Sequence, residues 1–212
     1  MQTQFRPRPI FVPIINHLWT PNNNSILIVK KWFEELYGPS SAKLLDTWPM
    51  SKSDFFRELK LAVGMSDTIC MYICLHGKQY KNAKTGEPEE FLKVNENTLI
   101  PDTEFSELIN SLKYKNLYIF LEVCHGGGLV NTIKIDDTIR DMSNVNIVIF
   151  NVCSKEQKCY VNYDRVNTIG MASRSLMQYH INPFAAPDRG LLLLKKLYGY
   201  LHTKVTVIKN LS

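Results

Sequence analysis

The chain has 212 residues, of which 45% are hydrophobic, and this combination fits a single globular domain with a full apolar core. Intrinsic disorder is therefore excluded as its main state. The sequence contains no apolar run of the ~18 residues that a membrane-spanning helix needs. Its first residues lack the apolar segment and the small-residue cleavage site of a signal peptide. We therefore expect a cytoplasmic protein that does not bind a membrane.

The charged residues and the cysteines restrict the function further. The net charge is +5, but lysine and arginine are scattered and do not alternate with aromatic residues, so nucleic-acid binding is not expected. The odd number of cysteines lacks the regular spacing of a secreted disulfide framework, and no Cys-x-x-Cys pair indicates zinc. Cys70 and Cys74 lie within an apolar run, which predicts that both are buried. The remaining cysteines are Cys124, Cys153 and Cys159.

Strand-like and helix-like segments alternate along the chain, and this alternation predicts an α/β domain with a mostly parallel sheet. The predicted strands are Pro9–Asn16, Ala42–Trp48, Thr68–Leu75, Leu117–Val123, Val145–Val152 and Lys204–Lys209. The predicted helices begin at Ser25, Ser51 and Pro101 and lie near residues 168–180 and 188–202. Ser51, with Asp54 three residues later, is close to an N-terminal capping box. The polar segment Tyr80–Ile100 predicts a surface hairpin.

Two of the predicted central strands end in the same way, with a reactive side chain followed by a glycine. One leads into Leu75-His76-Gly77, and the other leads into Glu122-Val123-Cys124-His125-Gly126. Because active sites of open parallel sheets lie beyond the carboxyl ends of the strands, we expect the two reactive side chains at one site. A thiolate is a good nucleophile, and a nearby imidazole can both activate it and protonate a leaving amine. The pattern therefore predicts His76 and Cys124 as a catalytic pair.

The neighbours of this pair have expected roles of their own. Gly77 has no side chain, so a substrate can approach it closely, and its N–H is expected to form an oxyanion hole with the N–H of Cys124. His125 follows Cys124 directly and would point to the opposite side of an extended chain. We therefore expect a structural role for His125.

The order of these elements and motifs resembles that of caspases and metacaspases over nearly the whole chain. Leu75-His76-Gly77 matches the Ser-His-Gly motif of caspases, and Tyr118–Gly126 matches the strand that leads into their Gln-Ala-Cys-Arg-Gly pentapeptide. Cys124-His125-Gly126-Gly127 is similar to the Cys-His-Ser-Gly of metacaspases, and Glu122-Val123-Cys124 is similar to the Glu-Ala-Cys of legumains. Val152–Gln157 also resembles a metacaspase segment that follows the next strand.

This resemblance implies a caspase-like three-layer sandwich, with a central, mostly parallel six-stranded sheet and helices on both faces. It implies one peptidase domain with a large-subunit-like part at residues 1–128, a linker at 129–144 and a small-subunit-like part at 145–212. The implied activity is that of a cysteine endopeptidase acting on proteins or peptides, as in apoptosis, with a homodimer formed through the C-terminal strand. Trimming of the linker is also implied, since it contains Lys134, Asp136, Asp137 and Arg140.

The departures from the family pattern concern the residue before the cleaved bond, P1. Caspases hold a P1 aspartate with two arginines and the glutamine of the pentapeptide, but here Glu122 stands at the glutamine position. The arginine positions fall in His17–Asn23 and near Cys159-Tyr160-Val161, and neither segment contains arginine. Metacaspases have an aspartate at the position of Glu122 and cleave after Arg or Lys. We therefore expect a basic P1 residue, while the asparagine choice of legumains stays open.

Two further alternatives follow from the resemblance. No cofactor is expected, but many metacaspases need calcium, and the candidate ligands here are Glu87, Glu89 and Glu90 in a loop expected to be solvated. The altered pentapeptide and the missing arginines also fit a catalytically inactive caspase-like protein that binds or regulates an active protease.

Overall fold

The computed structural model describes residues 9–19, 30–31, 33–35, 41–64, 66–131, 146–151, 153 and 204–209. The strands are β1 (Ile10–Ile15), β2 (Ser41–Ala42), β3 (Leu45–Asp46), β4 (Thr68–Cys74), β5 (His76–Lys81), β6 (Pro88–Asn95), β7 (Thr98–Pro101), β8 (Asn116–Leu121), β9 (Asn146–Asn151) and β10 (Lys204–Lys209). The helices are α1 (Lys52–Val63), α2 (Asp102–Ser111) and α3 (Gly126–Asn131), and residues 30–31 and 33–35 are also helical.

The described strands form a large, mostly parallel sheet and a smaller antiparallel one, which confirms the α/β prediction. The large sheet has the order β10-β9-β8-β4-β1-β2, and β3 also pairs with β1. Its strands are parallel except for β10, which runs antiparallel to β9. The short β2 and β3 continue one register, because Ile10 pairs with Ser41 and Ile14 with Leu45, an offset of 31 residues in both cases (41 − 10 and 45 − 14). The two therefore share one edge position beside β1.

One face of the large sheet packs against the helices that follow β3 and β7. Val12 and Ile14 of β1 belong to the same buried cluster as Phe55 and Leu59 of α1 and Phe105 of α2. Helix α1 begins where the sequence predicted, because the Ser51 side chain accepts a hydrogen bond from the backbone N–H of Asp54 at 3.1 Å. This face carries the aliphatic core.

Aromatic rings cover the opposite face of the same sheet. Phe11 stacks on Phe33 with ring centroids 5.2 Å apart, and Phe120 stacks on Phe150 at 5.1 Å. Tyr72 lies beside Phe120, at 5.9 Å between centroids. Because Phe33 is helical, helical residues pack against both faces of the sheet.

The hairpin prediction was wrong in extent. The antiparallel sheet has the order β5-β6-β7 and begins at His76, so His76 opens a new strand directly after β4 instead of entering a loop. The glycines after Cys124 do not lead straight into an irregular linker either. Helix α3 begins at Gly126 and continues past residue 129, where the linker was predicted to begin. The predicted helices near 168–180 and 188–202, the linker from 132 and most of the helix from Ser25 lie outside the described residues. Among the helices that the structure describes, none is long and apolar enough to cross a membrane.

Candidate active site

His76 and Cys124 lie at the same end of two neighbouring strands. Strands β4 and β8 are adjacent and parallel, and their last paired residues are Ile73 and Leu121, an offset of 48 residues (121 − 73). The alignment continues past this pair, because the N–H of Glu122 donates to the carbonyl of Ile73 at 2.9 Å. Continued beyond these pairs, the same offset would bring His76 level with Cys124 (76 + 48), although His76 itself begins β5 of the smaller sheet.

Gly77 brings the two segments into direct contact. A Cβ atom added to Gly77 would lie 1.6 Å from the carbonyl oxygen of Cys124 and 2.7 Å from its carbonyl carbon. Only a residue without a side chain can therefore occupy this position while the two backbones touch. The sequence suggested that Gly77 leaves room for substrate, but in the structure the Cys124 carbonyl occupies the place of the missing side chain.

Cys124 lies in a tight turn and not at the end of an extended strand. The N–H of Gly126 donates to the carbonyl of Val123 at 3.2 Å, and His125 has a positive φ of 57°. Histidine is among the non-glycine residues that are found in this left-handed region. An extended chain, in which His125 would point away from Cys124, is therefore not present here. Cys124 and His125 are both half-buried in this turn.

The end of β9 holds the turn in place. The N–H of Gly127 donates to the carbonyl of Cys153 at 2.9 Å. The buried Asn151 side chain bonds to the backbone of Cys153, and its Oδ1 lies 2.4 Å from where a Cβ of Gly126 would be. Sequence reasoning missed Asn151 and the carbonyl of Cys153. No signal in the local sequence marks either group.

A buried carboxylate supports the turn from the antiparallel sheet. Glu90 of β6 is 6% exposed, and the side-chain amide of Gln79 donates to it at 2.9 Å. A Cβ on Gly128 would lie 2.2 Å from the Cδ of Glu90, so the carboxylate packs directly on the backbone of α3. The expectation that the candidate calcium ligands lie in a solvated loop is therefore wrong for Glu90, whereas Glu87 is exposed. Within the described residues, no group of three or more His, Cys, Asp or Glu side chains is placed to hold a metal ion.

His76 has an environment that favours the uncharged imidazole. The side chain is exposed as a whole, but one side of its ring packs against Trp19, with the ring centroids 4.4 Å apart. Partial burial lowers the pKa of His76 below its ordinary value of 6.5, the charges of Lys93 and Lys78 lower it further, and Glu96 opposes them. At neutral pH the ring is therefore able to accept a proton.

The cysteines differ in their access to solvent. Cys70 and Cys74 are buried, and burial raises the pKa of both thiols, that of Cys74 to about 12 with additional contributions from Glu122 and Cys124. Cys124 is half-buried and is not in a disulfide. Cys153 is buried and disulfide-bonded, a pairing that the irregular cysteine spacing did not predict.

These differences predict selective alkylation. Iodoacetamide at neutral pH is expected to modify Cys124 in the folded protein much faster than Cys70 or Cys74, since those two thiols are buried and burial raises their pKa. Peptide mapping by mass spectrometry over time measures the three rates. The fast-reacting site should disappear in Cys124→Ser. Modification of Cys74 ahead of Cys124 would contradict the assignment.

Glu122 lies near Cys124 and is removed from solvent. Its side chain is 4% exposed, and the hydroxyl of Tyr72 donates to its Oε2 at 3.0 Å. On the sequence alone, a protein cation such as Lys155 or Arg174 is an alternative partner for Glu122, and both residues lie outside the described part of the chain. In the described structure, the hydroxyl of Tyr72 on β4 is one partner of this carboxylate.

Comparison of the chain with models of known protein families finds no match, and comparison with curated proteins finds no significant similarity.

Proposed function

We propose that the protein is a caspase-like cysteine endopeptidase in which Cys124 is the nucleophile and His76 is its base. The observation that supports this proposal is the contact between Gly77 and the Cys124 carbonyl, which brings the segments that carry His76 and Cys124 together beyond one end of the sheet. The sheet supports it further, because its described strands occupy six positions with an antiparallel last strand and have helical residues against both faces.

The proposed reaction is acyl transfer through the thiol. The neutral imidazole of His76 accepts the proton of the Cys124 thiol, and the sulfur attacks the carbonyl carbon of the peptide bond. The protonated imidazole then gives the proton to the departing amine, which leaves an acyl-enzyme. Water, deprotonated by His76, hydrolyses the thioester and restores the thiol. The N–H groups of Gly77 and Cys124 are the proposed donors to the oxyanion.

Turnover of a fluorogenic peptide library tests this proposal directly. Hydrolysis that is lost in Cys124→Ala supports it. The absence of turnover on every peptide, by protein shown to be folded, would refute it.

Glu122 is the proposed determinant of the P1 residue. It precedes Cys124 by two residues, accepts a hydrogen bond from Tyr72, and its charge raises the pKa of Cys74. A desolvated carboxylate attracts a guanidinium or ammonium group through charge-assisted hydrogen bonds and repels a carboxylate. We therefore place Glu122 at the floor of a pocket for a basic side chain.

This placement predicts the cleavage profile. The wild-type protein is expected to cleave after Arg or Lys at least about ten-fold faster than after Asp, because a single charge-assisted bond contributes more than 1.4 kcal/mol. Glu122→Gln should reduce this preference, measured as the ratio of kcat/KM values for matched peptides. Glu89→Gln is the control, since Glu89 lies on β6 and is not a neighbour of Cys124 in the sheet. Strong cleavage after Asp by the wild type would overturn the pocket assignment and leave the catalytic pair untouched.

One observation favours a second candidate function, an inactive caspase-like protein that binds a protease. Glu122 already accepts a hydrogen bond from Tyr72 and is almost fully buried, so a group of the protein itself already binds the carboxylate that the proposed pocket would offer to substrate. This alternative predicts stable association with an active protease and no turnover. The peptide library described above separates the two.

The proposed homodimer would use β10. This strand ends the described sheet, with β9 on one side. An edge strand presents backbone groups to which the same strand of a second copy can add. Light scattering of the protein in solution measures whether the dimer forms.

A further inference from the structure

The ring of His76 belongs to a compact cluster that the peptidase motifs do not include. Trp19 packs against His76, and its indole N–H donates to Glu96 at 3.2 Å. The ammonium of Lys93 lies 5.3 Å from the centre of the Trp19 ring and 2.5 Å from the carboxylate of Glu96. The ring of Trp19 therefore contacts His76 and Lys93, while its N–H binds Glu96.

The turn that carries Trp19 is fixed by buried hydrogen bonds. Asn16, at the end of β1, is fully buried, and its side-chain amide donates to the carbonyl of Val94 at 3.0 Å. The oxygen of the same side chain accepts from the N–H of Leu18, and the N–H of Trp19 donates to the Asn16 carbonyl, both at 3.0 Å. Val94 is adjacent to Lys93 on β6, and Lys93 pairs with His76 in the antiparallel sheet. The turn that carries Trp19 is therefore hydrogen-bonded to β6, and His76 pairs with the same strand.

We propose that Trp19 is a positioning residue, which holds the imidazole of His76 in its catalytic orientation. His76 is the first residue of a strand with an exposed side chain, so without a neighbour its ring could rotate freely. The tilted indole, 55° from the plane of the imidazole, blocks rotation on one side and excludes water from it. This inference rests on the proposed peptidase function.

The groups around the ring determine how removal of the indole changes the pKa of His76. Lys93 and Lys78 disfavour the imidazolium, Glu96 favours it, and the larger effect is the desolvation of the ring. When the indole is absent, water reaches the ring and the imidazolium is solvated. The pKa of His76 is therefore expected to rise towards 6.5, and the acid limb of the activity profile is expected to move to higher pH with it.

The experiment compares Trp19→Ala and Trp19→Phe with the wild type. Leu18→Ala is the matched control, because Leu18 lies on the same turn and its side chain is 53% exposed. His76 is titrated by NMR in each protein, and kcat and KM are measured across pH. We expect Trp19→Ala to lower kcat about ten-fold with KM little changed, as for a misoriented catalytic group. Trp19→Phe, which keeps a ring, should recover most of the loss.

The outcomes separate this inference from the peptidase proposal. A raised pKa of His76 together with a reduced kcat in Trp19→Ala, and neither in Leu18→Ala, supports the role of Trp19. An active Trp19→Ala protein with an unchanged His76 titration overturns that role and leaves the peptidase intact. Absence of turnover by the wild type overturns the peptidase, and with it any catalytic role of Trp19. Because Trp19 also packs on the core, Trp19→Leu replaces Trp19→Ala if the latter does not fold, with the same expected results.

Discussion

Cys124→Ala is expected to lower peptide hydrolysis by at least about a thousand-fold, because without the thiol no acyl-enzyme can form. The thermal unfolding temperature should change little. Cys124 is half-buried in the turn after β8, so removal of its sulfur opens little volume in the core. Steady-state kinetics on the best library peptide and thermal unfolding by circular dichroism measure the two effects.

The controls for this prediction are His76→Ala and Cys153→Ala. His76→Ala should cost nearly as much activity as Cys124→Ala, since a nucleophile and its base act as a unit. Cys153→Ala should lower stability by about 2–5 kcal/mol, because it removes a disulfide, and should keep most of kcat. An inactive Cys153→Ala protein beside an active Cys124→Ala protein would show that the nucleophile was wrongly assigned.

Gly77→Ala is expected to disrupt the site from a position that carries no reactive group. The added methyl would meet a backbone oxygen at 1.6 Å, and no side-chain rotation can relieve that overlap. The segments that carry His76 and Cys124 must therefore separate. We expect a loss of about 1–3 kcal/mol in the free energy of unfolding from the overpacking. Activity should fall by about a hundred-fold, as expected for a displacement near 1 Å.

Gly86→Asn is the matched control for this prediction. Gly86 lies in the turn between β5 and β6 with a φ of 74° and open space around its Cβ position. Asparagine tolerates this left-handed conformation, so the variant should retain stability and activity. Chemical denaturation and kinetics on both variants make the comparison. A fully active and stable Gly77→Ala protein would show that the contact between Gly77 and Cys124 is not needed.

Much of the fold could be predicted because strong local signals coincide with burial. The run Thr68–Leu75 is apolar almost throughout, as a strand covered on both faces must be, and β4 occupies most of it. Ser51 and Asp54 form the predicted cap of α1. The placement of His76 and Cys124 at one end of the sheet followed from a topological rule, since parallel strands end on the same edge.

The remaining features depend on contacts between distant segments. The sequence of β5, His76–Lys81, is polar and largely exposed, and only its pairing with β6 makes it a strand. The turn at His125 depends on two side chains that pack against its glycines. Asn151 packs against Gly126, and Glu90 packs against Gly128. Neither residue is marked by its local sequence, because a buried Glu and an exposed Glu look the same until the partner is known.

The bond between Gly127 and Cys153 means that His76 and Cys124 alone do not make up the candidate site. A polypeptide cut after α3 would contain both reactive residues, yet it would lack the Cys153 carbonyl and the Asn151 side chain that shape the turn around the thiol. It would also leave β8 as an unprotected sheet edge. Competence of the thiol would then arise only when β9 docks, during folding or upon reassembly of two pieces. A split version of the chain could accordingly report on that docking through recovered reactivity at Cys124.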